Sequence, residues 1–268
     1  PCRIARGSVT GLQWACWVLE SLTPMTSDSP AAHSLSATLA QLQAVPTLAG
    51  ISPASLQWLG SQVKWRQVSA GEAIFIQDAW GNVVYLMLKG WAKVRRVLRV
   101  GNGESVQNRC LAILGPGSWV GEMAVLDKAP RSRDVMALTK VQLAGIPAAV
   151  FRELMVQEPQ LCYQLACSLS RRLRLANLQA DLSQQSPPVR LVHTLVQLAE
   201  AFGENTPQGV RIFHPPLQDL ADISQISLET ATMVLDRLMQ QAIVKPLPEE
   251  HSLLLTQYTK LVQATRLL

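Results

Sequence analysis

Between residues 63 and 146 the chain alternates in short runs. Segments 63–68, 73–77, 83–88, 91–100, 105–113, 134–138 and 141–146 are rich in β-formers. Such residues fit a pleated, half-buried surface. Glycine turns separate several of them, at Ala70-Gly71, Trp80-Gly81-Asn82, Gly101-Asn102-Gly103 and Gly115-Pro116-Gly117. Many short strands at near-regular spacing predict a small barrel or roll. Upstream the period is longer. Leu35, Leu39 and Leu42 fall at helical spacing, and Ser52-Pro53 has the form of a capped helix start, with Leu56, Leu59 and Val63 following.

Downstream the pattern is again helical. Pro147 opens a helix through Phe151, Leu154 and Met155, and Pro159 opens a longer one that runs to about residue 184. One stripe on it is Leu161, Leu165, Leu169, Leu173, Ala176 and Ala180; a second is Leu175, Leu178 and Leu182. Two apolar faces need two covering surfaces. One is the helix's own roll. The other is the same helix of a second chain, or else further burial inside one subunit. Ser186-Pro187-Pro188 breaks the helix and marks a hinge. Beyond it come a helix at 189–202, a strand at 209–213, and helices at 217–223 and 227–240 joined by Ser224-Gln225-Ile226. Strands at 243–245 and 252–255 flank a turn at 246–250. Helix, turn, helix and hairpin predict a winged helix-turn-helix; the plainer reading is a small helical packing domain.

These elements divide the chain into an N-terminal extension at 1–34, a β-roll at 35–158, a long helix at 159–186 and a winged helix-turn-helix at 187–268. The fold class is α+β. Within the extension, two arginines precede an apolar stretch at 11–22, which Gln13 and Glu20 interrupt. No convincing cleavage pattern follows, so residues 1–24 are expected to lack a defined fold, and Met25 is the more natural start. No apolar run approaches the ~18 residues that span a bilayer. The five cysteines, Cys2, Cys16, Cys110, Cys162 and Cys167, are scattered with no metal spacing, which suits a reducing cytoplasm. The histidines are isolated, so no metal site is expected. The net charge is +5, which favours an anionic partner. Past Pro188, however, six bases face eight acids. The basic excess lies upstream.

The stretch with chemistry in it is Gly121-Glu122-Met123-Ala124-Val125-Leu126-Asp127-Lys128-Ala129-Pro130-Arg131-Ser132. Amides of residues 122–124 at a short helix start suit an anion. Arg131 suits a phosphate charge, and Ser132 adds a hydrogen bond. A phosphate would repel Glu122, which suits sugar hydroxyls instead. The plainer reading is a surface turn with a Glu122–Arg131 salt bridge. No nucleophile–base pair, metal spacing or P-loop lysine motif is present, so an enzyme is not expected.

A β-roll, a long helix and a winged helix-turn-helix in that order resemble the catabolite activator protein/FNR family of bacterial transcription regulators, over about residues 50 to 258. Leu88-Lys89-Gly90-Trp91-Ala92-Lys93-Val94 is similar to the family's strand–glycine–strand segment. Gly115-Pro116-Gly117-Ser118-Trp119-Val120-Gly121-Glu122 is similar to its lead into the phosphate cassette. Phe151-Arg152-Glu153-Leu154, Pro159 and Ser170-Arg171-Arg172-Leu173 are similar to its entry into the dimerisation helix. The resemblance implies a homodimer paired through 159–186, an effector such as cyclic AMP or cyclic GMP, a palindromic double-stranded DNA operator and RNA polymerase as a partner, with no membrane. It implies an effector site of Gly121, Glu122, Met123, Ala124, Arg131, Ser132 and Asn177. Glu122 would accept from a ribose hydroxyl, while Arg131 and Ser132 would hold the cyclic phosphate.

The chain departs from the family at both ends of its function. Arg133 follows Arg-Ser, where cyclic-AMP binders usually carry a small residue. Ala176-Asn177 stand where the activator protein reads adenine with Thr-Ser, which leaves base identity open. The implied recognition helix runs from Ser227 to Arg237. Its contact positions are Ser227, Leu228, Glu229, Thr230, Ala231, Thr232, Met233 and Arg237. Leu228 and Met233 stand where the activator protein has arginines. The acids Glu249 and Glu250 occupy the wing turn. These departures motivate an alternative, a sensor of the same fold that has lost DNA reading and signals through a protein partner.

Overall fold

The computed structural model describes residues 35–100 and 105–266. The expectations for 1–34 and for the turn at 101–103 lie outside the described residues. In order, the elements are α1 (Leu35–Gln43), α2 (Pro53–Gln62), β1 (Lys64–Val68), β2 (Ala73–Phe75), β3 (Val83–Lys89), β4 (Ala92–Val100), β5 (Ser105–Leu114), β6 (Trp119–Val120), α3 (Glu122–Leu126), β7 (Asp134–Ala137), β8 (Val141–Pro147), α4 (Ala148–Gln157) and α5 (Pro159–Leu182). There follow α6 (Pro187–Phe202), β9 (Glu204–Thr206), β10 (Gly209–Phe213), α7 (Leu217–Ile223), α8 (Leu228–Gln240), β11 (Val244–Leu247), β12 (Ser252–Leu255) and α9 (Tyr258–Arg266).

Two antiparallel sheets, ordered β1-β8-β3-β6 and β2-β7-β4-β5, form the roll. The period-2 alternation of strands decides which side chains meet. Along β3, Met87 and Tyr85 turn into the roll with Val68, Ile74, Val135, Val141 and Leu143. Val84 and Leu86 turn the other way, onto helices that supply Leu42, Leu59, Phe151, Leu154 and Leu161. Each of these side chains contributes about 1.5–3 kcal/mol when fully buried. Ser52 caps α2, its Oγ accepting from Ser55 N at 3.2 Å. Ser52 also donates through N at 3.2 Å and Oγ at 2.6 Å to Glu158 Oε1 just past α4, joining two helix ends.

Helix α5 divides its stripes between the protein and solvent. Leu161 and Leu165 are buried against the roll, whereas Leu173 is 64% exposed and Leu175 and Leu178 are also open. Pro187 and Pro188 do not lie in the break after α5: they form the first turn of α6, with Ser186 as its N-cap. A missing proline N–H is harmless there because first-turn amides have no intrahelical partner. The sheet β11-β12-β10-β9 makes the wing. Pro246, expected in a turn, lies within β11. An edge strand tolerates it, since one row of its amides needs no partner.

The roll and the winged region share a core. Cys110 and Ile113 of β5 pack in one cluster with Leu191, Leu195, Leu220, Leu235 and Leu253. Strict alternation would put residues three apart on opposite faces. A bulge at Leu111, where Val94 pairs with Ala112 and Arg95 with Cys110, brings both onto one face. Trp91 stacks on Phe213 at 4.5 Å and meets Phe202 edge-on at 5.3 Å.

The Glu158 clip is open to test by pH. Hydrogen bonds from Ser52 and Ser55 hold its carboxyl below the usual carboxylate range. A depressed folded-state pKa contributes stability above the unfolded pKa and loses it as pH falls through the folded value. Glu158→Gln should therefore lower stability by about 1–2 kcal/mol at pH 7. In thermal melts, the gap from wild type should close as the pH is taken below the carboxylate range.

Candidate functional site

The cassette begins at Gly121, whose φ of 82° lies in the left-handed region and starts the short α3. Arg131, ten residues on, turns back beneath it and is only 4% exposed. Its Nη1 donates to Gly121 O at 2.5 Å and its Nη2 to Val83 O at 2.6 Å. Its guanidinium carbon lies 4.3 Å from the centre of the Phe75 ring. A Cβ on Gly81 would lie 2.3 Å from Nη2, and one on Gly121 would lie 2.2 Å from Nη1. A Cβ at either glycine would therefore shift the guanidinium, and at Gly121 the left-handed backbone favours glycine as well. The Arg131 backbone is held too, N to Ala79 O at 2.9 Å and O from Asp78 N at 2.8 Å. Burial lowers the guanidinium's pKa, and nearby Tyr85 and Glu122 oppose that shift. A buried cation is costly unless it is hydrogen-bonded. Two carbonyls and an aromatic face offset the cost.

Glu122 is also buried, at 2% exposure. The plainer expectation paired it with Arg131. Its partner is Arg172, whose Nη1 donates to Oε1 at 2.6 Å while Nη2 donates to Trp119 O at 2.9 Å. Sequence reading had used Arg172 only as part of a family segment. A signal was present: Arg172 follows Leu165 and Leu169 by seven and three residues, on the helix face that turns to the roll. The remaining expected effector residues divide. Ala124 is buried at 6% exposure, and Met123 is half exposed. Ser132 and Asn177 are exposed. Arg133 folds back, its Nη1 donating to Ser132 O. The structure thus brings together Gly121, Glu122 and Arg131, and adds Gly81, Val83, Phe75 and Arg172.

In the winged region, Ser227 caps α8, with Oγ accepting from Thr230 N at 3.1 Å and lying 2.7 Å from Thr230 Oγ1. Thr232 Oγ1 donates to Leu228 O at 2.9 Å. Leu228 is 45% and Met233 65% exposed, and Glu229, Thr232 and Arg237 are also exposed. Ala231, expected at the base-facing surface, is instead fully buried. It lies three residues from Val234 and four from Leu235, on the helix's packed face.

Four of the region's acids are engaged within the protein. Asp219 Oδ1 accepts from Lys93 Nζ at 2.6 Å. Asp222 accepts from Cys110 N and from Gln218 Nε2, each at 2.9 Å. Arg211 bridges Glu204 and Glu250. Arg211 is itself one of the six bases and the donors to Asp222 are neutral, so of these contacts only the Lys93–Asp219 pair, which joins an acid of this region to a base of the roll, lowers the negative charge the region presents.

Among the described residues there is no cluster of His, Cys, Asp and Glu suited to a metal, and no helix is long and apolar enough to cross a membrane. The model of the cyclic nucleotide-binding domain matches residues 65–158. The chain is 30% identical over 202 residues to the cyclic AMP receptor protein of Thermus thermophilus, covering 75% of this chain and 88% of that one. It is 28% identical over 188 residues to a CRP-like cAMP-activated global transcriptional regulator of Mycobacterium tuberculosis, covering 69% of this chain and 82% of that protein. The solved structure of FixK2 from Bradyrhizobium japonicum, 16% identical, shares the fold with a TM-score of 0.62 over 75% of this chain and 96% of that one. With a matching nucleotide-binding domain, and a likeness to the Thermus receptor that continues into the winged region, the chain belongs to the CRP/FNR family of transcription regulators.

Proposed function

We propose that the chain is a homodimeric, effector-gated DNA-binding regulator whose roll takes a cyclic nucleotide at Arg131. The division is the one expected from sequence: an effector domain at 35–158, a dimerisation helix at 159–186 and a DNA-binding domain at 187–268, acting in the cytoplasm. The observation that carries the reading is the Arg131 seat. Two carbonyls use one N–H on each Nη, so the guanidinium is fixed while its other N–H groups remain for an anion. A cyclic phosphate adds the negative charge this buried cation lacks. Ser132, exposed beside it, supplies a further hydroxyl. Gly121, Met123 and Ala124 complete the cassette.

At the sugar end, a ribose hydroxyl competes with Arg172 for Glu122. Arg172 belongs to α5, so the competition bears on the helix whose exposed Leu173, Leu175 and Leu178 suit a second copy of the chain. The ligand acts only through its different affinity for the two helix arrangements. At the base end, Ala176 offers no side-chain hydrogen bond, and Asn177 alone of the pair reads an edge. Cyclic AMP, by the Thermus relative's name, and cyclic GMP are both candidates, since Asn177 favours neither base.

Two recognition helices in a dimer would enter major grooves about 34 Å apart on a palindromic site. Glu229 would accept from a cytosine amine, while Leu228 and Met233 would touch thymine methyls. Ser227, Thr230, Thr232 and Arg237 supply the polar contacts, and RNA polymerase is the expected protein partner. The alternative, a sensor that signals only through a protein, rests on the acidic winged region and on Leu228 and Met233 standing where the activator protein has arginines. The Lys93–Asp219 pair removes one acid from that balance.

In calorimetry with cyclic AMP and cyclic GMP, Arg131→Ala should weaken the bound nucleotide at least about tenfold, the loss of a charge-assisted bond. Gly81→Ala should weaken it less, because its Cβ shifts the guanidinium without removing it. Wild-type affinity in Arg131→Ala would rule out Arg131 as the phosphate seat. In gel shifts on genomic fragments at low salt, with and without each nucleotide, sequence-selective retention is expected. Glu229→Ala should relax discrimination at one base pair by about 1–3 kcal/mol. No selective retention under any condition would favour the protein-partner reading.

A further inference from the structure

Helix α7, the first helix of the helix-turn-helix, is keyed to the roll of its own protomer at more than one point. Lys93 Nζ of β4 meets Asp219 Oδ1 at 2.6 Å, and Asp219 is only 2% exposed. Asp222 accepts from the main-chain amide of Cys110 on β5 at 2.9 Å. Cys110 and Ile113 fill the space between, and Trp91, two residues before Lys93, stacks on Phe213. These contacts fix α7, and α8 packs against α7.

The same strand reaches the cassette on its other side. β4 pairs with β7, with Lys93 opposite Met136 and Arg95 opposite Asp134. Asp134 is three residues from Arg131 and is 4% exposed. Its Oδ2 accepts from Arg95 Nη2 at 2.6 Å and Nε at 3.1 Å. Its Oδ1 accepts from Gln77 N at 2.7 Å. Gln77 lies two residues from Phe75, on whose ring the Arg131 guanidinium rests. Asp134 is thus tied both to the floor of the phosphate seat and, through Arg95, to the strand that carries Lys93.

We propose that Lys93–Asp219 is a latch between roll and winged domain, and that Asp134 and Arg95 link it to the phosphate seat along β7 and β4, a route within one protomer that bypasses α5. Asp134 and Arg95 are positioning residues that set where Lys93 stands. The proposal rests on the reading of Arg131 as the effector seat, but the latch itself requires neither nucleotide nor DNA.

Hydrogen–deuterium exchange of the full chain, without ligand, tests it. Lys93→Met should raise exchange of the α7 amides about tenfold, as a locally released element does. Arg95→Met and Asp134→Asn, neither of which removes a side chain bonded to α7, should each raise it at least about threefold, with β1 and β8 unchanged. Arg95→Lys should restore part of the protection, which a general loss of folding would not allow. Wild-type exchange of α7 in Lys93→Met overturns the latch. A rise in Lys93→Met with none in Arg95→Met and Asp134→Asn overturns the link to the seat. Either result stands whether or not the chain binds a nucleotide, so failure of the latch and failure of the effector reading are told apart.

Discussion

The roll is organised about one buried cation. Arg131 carries a positive charge into the roll's interior, near buried Glu122 and Tyr85, and the surroundings are arranged to receive it. Gly81 and Gly121 leave room for it, since a Cβ at either would meet the guanidinium. The carbonyls of Gly121 and Val83 turn toward it, and the Phe75 ring lies beneath it. An unpaired charge in such a place is strongly unfavourable. Two carbonyls and an aromatic face make it tolerable here.

Two further charge pairs extend outward from this seat. Glu122, at the head of the cassette, is joined to Arg172 on the long helix. Asp134, at its end, is joined to Arg95, a strand-mate of Lys93. Each end of the cassette therefore leads to a different element of the regulator. The inward turn of Asp219 and Asp222 belongs to the same design. It places acids of the helix-turn-helix against the roll.

Much of this was legible in the sequence. Alternating β-formers between glycine turns gave the roll, and the leucines of 161–182 gave a helix with two faces. Gly121, Glu122 and Arg131, marked by their spacing, come together in the structure, whereas Ser132 is exposed. What escaped had physical reasons. The strands Trp119–Val120 and Glu204–Thr206 are too short to show a period. Pro246 reads as a turn unless the strand is known to lie at an edge. The bulge at Leu111 and the shared core cannot be read from alternation, because a bulge is a break in it. Glu122 and Arg172 lie fifty residues apart, so their ion pair follows only from the packing of α5 on the roll. The burial of Ala231 follows from the path of α8, and motif alignment alone placed it at the DNA.

The central claim, that a nucleotide at the Arg131 seat governs DNA reading by a dimer, is tested most directly by in vitro selection. Random DNA is partitioned on the full chain with cyclic AMP, with cyclic GMP and with neither. The account predicts enrichment of a two-fold symmetric sequence, its half-sites about one helical turn apart, stronger with one of the nucleotides than without. Equal enrichment in all three arms, or none in any, would contradict it.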